Sequence, residues 1–206
     1  MTSSRKISRP RSAPLHESDL NPWTICKKNT VYENPWIKVD HHEVIDPKGL
    51  PGIYGTVHYK HTAIGIVPLS DEHETWLVGQ YRFPLNTYSW EIPEGGAHKS
   101  ETPLEAAKRE LREETGLLAK NFEYIMEMHL SNSTSDEKAL VYIAHGLTEG
   151  PSAPESTEDL QIKKIPFAKA LEMVLAGEIT DAISVAALLK TAHLLSSGSL
   201  LIKKAT

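Results

Sequence analysis

Cysteine, phenylalanine and long apolar runs are scarce in this chain of 206 residues, and each scarcity excludes something. Cys26 is the lone cysteine. No internal disulfide can form, and a reducing, cytoplasmic setting is expected. No apolar stretch approaches the roughly 20 residues that a membrane-spanning helix needs, so no membrane partner is expected. Neither charge sign dominates: 22 Lys and Arg stand against 27 Asp and Glu, a formal net charge of −5. That balance lacks the basic footprint of a nucleic-acid binder, so no nucleic-acid partner is expected. Arg5, Lys6, Arg9 and Arg11 lie among serines and prolines near the start. Without a following apolar core no secretory signal is expected here, and residues 1–20 read as a flexible tail. The ten histidines are scattered. His41, His42 and His98 have no zinc-ligand spacing with cysteine, and no zinc site is expected.

Carboxylates, by contrast, are concentrated. Gly95 to Leu117 reads GGAHKSETPLEAAKRELREETGL, and its second half has the marks of a helix. Thr102 is a suitable N-cap, Pro103 fits the first helical position, and Glu105 completes a T-x-x-E capping box. Gly116 is placed to end the helix. Leu104, Ala107 and Leu111 form an apolar stripe expected to dock on a sheet, with Ala106 expected on the acidic side. Glu110, Glu113 and Glu114 share one face within about 100° of arc. Three like charges so close repel unless a cation offsets them, and clustered oxygens suit Mg²⁺, with Mn²⁺ as a second possibility. Ahead of the helix, Pro93-Glu94-Gly95-Gly96 reads as a loop that admits close backbone approach.

These residues match the pattern G-x5-E-x7-R-E-U-x-E-E-x-G-U, where U is a bulky aliphatic, at Gly95, Glu101, Arg109, Glu110, Leu111, Glu113, Glu114, Gly116 and Leu117. On them the chain resembles the Nudix hydrolases. The resemblance implies hydrolysis of a nucleoside diphosphate linked to another moiety. Glu110 and Glu114 then look like the principal metal ligands, with Glu113 a further or water-mediated one. Glu94 would lend its main-chain carbonyl, and Glu101 and Arg109 would orient loop and helix.

Strand-like and helical stretches alternate along the chain. Residues 23–27, 36–45, 52–60, 63–69, 75–82, 122–130, 138–145 and 162–165 read as strands. Helices are expected near 167–176 and 181–196, with a surface loop at 147–159. This order matches a Nudix α/β/α sandwich with a mixed sheet (61–206), an α/β fold, preceded by a small N-terminal antiparallel β region (21–60).

The surroundings of the motif resemble the branch that acts on ADP-ribose and nucleoside diphosphate sugars. Gly79-Gln80-Tyr81-Arg82-Phe83-Pro84 leads into Trp90-Glu91-Ile92-Pro93-Glu94-Gly95. In that branch the arginine at Arg82 reaches a substrate phosphate; alternatively Arg82 pairs with Glu91, which joins it in the expected substrate-binding set. The branch also implies a homodimer formed through the N-terminal β region. Trp23 and Tyr54 fall where its members stack the nucleobase, and Trp36 reads as packing. Glu137, at the end of Ser131 to Glu137, takes the position of an acid that in this branch supports the metals or acts as general base, and with Glu113 and Glu114 it makes up the expected catalytic set. The loop departs from the branch, with Asn132-Ser133 in place of Pro-Gly. That departure leaves GDP-mannose-type substrates open beside ADP-ribose. Other readings are a Nudix enzyme acting on dinucleoside polyphosphates, oxidised nucleotides or RNA caps, and a non-catalytic ADP-ribose sensor.

Overall fold

The computed structural model describes residues 20–150 and 160–200. The expected tail lies outside them except for Leu20, as do residues 151–159 of the expected surface loop. The first strands are β1 (Thr24–Glu33), β2 (Ile37–Ile45), β3 (Pro51–Tyr59), β4 (Thr62–Leu69) and β5 (Glu74–Arg82). After a 3-10 turn at Phe83–Leu85 come β6 (Thr87–Glu91), β7 (Glu94–Ala97), helix α1 (Pro103–Thr115), β8 (Leu117–His129) and β9 (Lys138–Glu149). The described part closes with β10 (Gln161–Pro166), α2 (Phe167–Leu175) and α3 (Ala182–Ser196).

At the centre is a mixed sheet in the order β7-β4-β9-β8. β4 runs parallel to β9 and antiparallel to β7, and β8 runs antiparallel to β9. Strict alternation divides its side chains between two faces. Ile64, Ile66, Leu140, Tyr142 and Ala144 pack with Ala106, Ala107 and Leu111 of α1. Val67, Leu69, Val141 and Ile143 pack with Met173 of α2 and Ile183, Ala187 and Leu188 of α3. Cover on both faces explains why β4 reads as an unbroken apolar run rather than an alternating one. Two antiparallel sheets flank this sandwich: β10-β5-β6, and the N-terminal β1-β2-β3.

The expected α/β/α arrangement with a mixed sheet and an N-terminal antiparallel sheet is present, but three details differ. Glu94-Gly95-Gly96 is not loop but strand, because Gly65, Ile64 and Ala63 of β4 pair with these residues in turn. Glycine weakens a strand's intrinsic preference, and here cross-strand pairing overrides it. Strand β6 has no counterpart among the expected strands. In α1, Ala106 is fully buried and Leu104 is exposed; the small Ala106 and Ala107 bring the helix close to the sheet, which turns its apolar stripe away from Leu104.

The ends of α1 follow the sequence closely. The Thr102 side chain accepts from the Glu105 N–H while Glu105 accepts from the Thr102 N–H, and Gly116 caps the C-terminus at φ 71°. Helix α3 starts at Asp181, whose side chain accepts from the Ser184 N–H at 2.7 Å. Ser184 Oγ in turn accepts from the Ile92 N–H at 3.0 Å, which ties the start of α3 to the β6–β7 link.

The α3 contact leaves no room at Gly65. A Cβ there would lie 2.7 Å from Ile183 Cγ2 and 3.1 Å from Ile92 Cδ1. Overpacking of this kind costs about 1–3 kcal/mol. Gly65→Ala is therefore expected to lower the urea midpoint at an unchanged m-value; an unchanged midpoint would contradict the close approach of α3 to β4.

Candidate active site

The α1 carboxylates meet the β7 backbone, and Arg109 organises the junction. Its Nε and Nη2 clamp Glu101 at 3.1 and 2.6 Å, and Nη2 also donates to the Gly96 carbonyl at 3.0 Å. Nη1 donates to Glu110 at 2.7 Å and Glu113 at 2.9 Å. The orienting role expected for Glu101 and Arg109 fits this geometry. The hydrogen bonds to Glu101, and next those to Glu113 and Glu110, outweigh the opposing effect of burial and hold the Arg109 pKa above its usual value. The same contact with Arg109 lowers Glu101 to about 2 from its ordinary 4.5.

Glu110 is 9% exposed and lies against Gly95, where a Cβ would collide with its whole carboxyl group. Glycine at position 95 thus clears space for the carboxylate. Glu114, 4% exposed, accepts from the Glu94 N–H at 2.8 Å. The repulsion anticipated among the three glutamates is therefore partly met by Arg109 and a backbone amide. A cavity of about 310 Å³ opens over Glu94–Gly96, Arg109, Glu110 and Glu113. Trp36, His61 and His98 complete its wall. Trp36 is 66% exposed, which corrects its reading as a packing residue.

A second carboxylate group adjoins the first. Glu91, Glu94 and Asp181 each place an oxygen within 4.8 Å of the others. Arg82 is spent on two of them: Nε donates to both Glu91 oxygens at 2.9 and 3.0 Å, and Nη2 donates to Glu91 and, at 2.6 Å, to Glu94. Of the two alternatives for Arg82, this geometry is the pairing with Glu91. Burial disfavours the Arg82 charge, yet Glu91 and Glu94 outweigh it and raise its pKa. Burial, then Asp181 and Glu91, drive the Glu94 carboxyl well above the usual range. Its Oε2 is buried without a hydrogen-bond partner. An orphaned oxygen among oxygen donors is the environment a hard divalent cation satisfies.

Asp181 was not among the expected site residues. In the sequence it carries only the signal of a helix N-cap, and the bond from Ile92 to Ser184 brings it to the site. Glu137, half-buried at the head of β9, is pushed up by burial and then by the charge of Asp181. The described structure thus links Glu137 electrostatically to the carboxylates.

The expected base-stacking pair lies elsewhere. Trp23 and Tyr54 touch edge to face, with centroids 5.3 Å apart and planes at 80°. They line a separate cavity of about 230 Å³ on the N-terminal sheet, together with His42. Asp40, His42 and His58 also bring ligand atoms within 4.8 Å of one another. Lys28 and Lys38, at 2.8 and 3.2 Å, already neutralise Asp40 there, and the group reads as a hydrogen-bonded ion-pair network.

Known proteins share the domain family and the fold. A model of the NUDIX domain matches residues 59–185, and one of the nucleoside diphosphate sugar hydrolase N-terminal domain matches residues 23–57. The chain is 35% identical over 139 residues to the ADP-ribose pyrophosphatase of Mycobacterium tuberculosis, covering 66% of this chain and 67% of that protein. It is 34% identical over 122 residues to the ADP-ribose pyrophosphatase of Bacillus subtilis, covering 58% and 66%. The ADP-sugar pyrophosphatase of Mus musculus is 30% identical over 133 residues, covering 58% and 61%. A solved structure described as an ADP compounds hydrolase superposes with a TM-score of 0.78 over 88% of this chain and 98% of that one. At 23% identity this is a likeness of fold.

The clamp of Arg109 on Glu101 has a pH signature. The folded pKa of Glu101, about 2, lies below its ordinary 4.5, so its stabilising effect is complete above pH 4.5 and is lost as pH falls toward 2. The melting temperature of the protein is expected to fall more steeply over that window than that of Glu101→Gln. Parallel curves would show that the clamp adds no stability.

Proposed function

The chain belongs to the NUDIX family, and from that premise we propose that it is a Mg²⁺-dependent pyrophosphohydrolase of nucleoside diphosphate sugars, releasing NMP and a sugar phosphate. The observation that carries the reading is the carboxylate set of Glu110 and Glu114 around the β7 glycines, beside the buried, unpartnered Glu94 Oε2. Glu110, Glu113, Glu114 and the Glu94 main-chain carbonyl would hold Mg²⁺, or Mn²⁺. When bound, the ion supplies neutralisation of the pyrophosphate charge and a more acidic attacking water.

The protein's own residues then divide the work. Arg109 and Glu101 lock the β7–α1 junction and hold the α1 carboxylates against the β7 backbone. Arg82, now on Glu91 and Glu94, is a planar donor that a pyrophosphate could recruit in bidentate fashion, with Glu91 holding it in place. Glu137 takes the proton of the attacking water; burial raises its basicity, as suits a general base at neutral pH. Trp23 and Tyr54, in their separate cavity on the N-terminal sheet, would meet a nucleobase only where a partner subunit brings that cavity to an active site.

Relatives named for ADP-ribose and ADP-sugars support ADP-linked substrates. The Asn132-Ser133 departure keeps other nucleotide sugars, GDP-mannose among them, in the substrate range. The intact carboxylates Glu101, Glu110, Glu113 and Glu114 favour catalysis over a sensor role. The lone cysteine, exposed in the structure, fits a reducing cytoplasm. No helix among the described residues is long and apolar enough to cross a membrane.

We also propose a homodimer formed through the N-terminal sheet, residues 21–60. All ten residues of β1 are exposed, among them Ile25 and Val31, and Ile53 on β3 is 73% exposed. A monomer mass by light scattering across micromolar concentrations would remove this reading; twice that mass is expected.

Turnover measured on ADP-ribose, GDP-mannose, UDP-sugars, diadenosine polyphosphates and NTPs, with and without Mg²⁺, tests the activity. Cleavage of nucleotide sugars only with the metal is expected, and preference for NTPs or dinucleoside polyphosphates would overturn the substrate class. Glu114→Gln is expected to abolish turnover while leaving the melting curve intact. Glu137→Gln is expected to lower kcat far more than KM. Near-normal rates in either variant at saturating Mg²⁺ would remove that residue from its role.

A further inference from the structure

Glu137 ends a loop with little secondary structure of its own, yet a general base must hold its carboxylate to within a fraction of an ångström. What holds this loop is strand β3 of the N-terminal sheet. The Val57 N–H donates to the Thr134 carbonyl at 2.8 Å, and the Asp136 N–H donates to the Val57 carbonyl at 3.2 Å. Val57 and Ser135 form a parallel bridge. The Tyr54 hydroxyl adds a bond to the Ser133 carbonyl.

The side-chain anchor is His58. Its Nδ1 meets Asp136 Oδ2 at 2.8 Å, while Asp136 Oδ1 accepts from the Tyr59 N–H at 2.9 Å. On its other edge, His58 Nε2 meets Asp40 Oδ2 and Thr56 Oγ1, each at 3.1 Å. Asp40 is fully buried and fixed by the Thr30 hydroxyl at 2.7 Å, Lys28 at 2.8 Å and Lys38 at 3.2 Å. The imidazole is thus a strut between a rigid site inside the N-terminal sheet and the residue directly before Glu137. Anchoring at Asp136 limits the torsions through which the Glu137 backbone can drift. The Leu130 N–H donates to the Glu137 carbonyl at 3.0 Å and closes the loop from its other side.

We propose that His58, braced between Asp40 and Asp136, is the positioning residue of the loop that presents Glu137 for proton transfer. The inference rests on the reading of Glu137 as general base. It gives the N-terminal sheet a part in the chemistry within its own chain, separate from any part in dimerisation.

The test combines four variants of the full chain, assayed on ADP-ribose with saturating Mg²⁺. His58→Ala is expected to lower kcat about tenfold or more, the scale that misplacement of a reacting group by ångströms produces, with KM changed less than about twofold. His58→Asn, whose amide can replace Nδ1 toward Asp136, is expected to recover most of that loss. Hydrogen exchange at Val57 and Asp136 is expected to accelerate in His58→Ala and to return toward normal in His58→Asn. In a Glu137→Gln background, His58→Ala is expected to lower kcat no further, because the group it positions is gone.

A wild-type kcat in folded His58→Ala overturns the inference. So does a loss that multiplies in full with that of Glu137→Gln, or one that His58→Asn fails to recover. Should His58→Ala not fold, Asp136→Ala removes the same strut and is held to the same kcat loss and the same lack of a further loss in the Glu137→Gln background. If Glu137→Gln alone leaves kcat unchanged, the general-base reading fails and the inference with it. If Glu137→Gln is slow while His58→Ala is normal, only the strut fails.

Discussion

Negative charge packed at close range is the constraint around which this protein is built. Glu110, Glu113 and Glu114 crowd one face of α1, while Glu91, Glu94 and Asp181 crowd the start of α3 beside them. Left alone, such a group would repel and would drive carboxyls to bind protons. Two arginines prevent part of this, each serving several acids at once: Arg109 on Glu101, Glu110 and Glu113, Arg82 on Glu91 and Glu94. Backbone amides take another share, since the Glu94 N–H satisfies Glu114. What stays unmet is Glu94 Oε2, buried and without a partner. Among these clustered acids, the hydrogen bonding of the described residues is incomplete at that oxygen.

Packing follows from that requirement. Gly95 has no side chain because the Glu110 carboxylate occupies the space, and β7 can carry glycines because β4 pairs with it along its length. Ala106 and Ala107 let α1 sit close to the sheet, which brings the carboxylates down to the β7 backbone. On the opposite face, the bond from the Ile92 N–H to Ser184 pins α3, and α3 delivers Asp181 to the same place. Both helices are thereby aimed at one junction from the two faces of a single sheet. The N-terminal sheet approaches from a third side and grips the loop before Glu137 through His58 and Val57.

Features set by near neighbours in the chain are legible in the amino-acid sequence. The capping box at Thr102 and Glu105, the stop at Gly116, the bounds of α2 and α3, and the orienting place of Arg109 all depend on contacts within a few residues or on a fixed motif spacing. Features set by distant partners are not. Glu94-Gly95-Gly96 reads as loop because glycine disfavours strands, and only pairing with β4 reverses that. Leu104 looks like core on a helical wheel, yet the closeness of α1 at Ala106 turns it outward. Asp181 looks like a cap and is one, but its second place among acids depends on a bond reaching from Ile92, far away in the chain. Trp36 gives no local sign that it stands exposed at the cavity wall. Arg82 is the intermediate case: the sequence names Glu91 and a phosphate as its partners, and the structure shows the Glu91 pairing with Glu94 added to it.

Where a divalent cation binds decides the chemistry of this site, and Mn²⁺ reports that position directly. Crystals soaked in Mn²⁺ and measured at the manganese edge are predicted to show anomalous density beside Glu110, Glu114 and the Glu94 carbonyl. Density at Asp40, His42 and His58 instead, or none near α1 at saturating Mn²⁺, would contradict a metal centre built on α1 and β7.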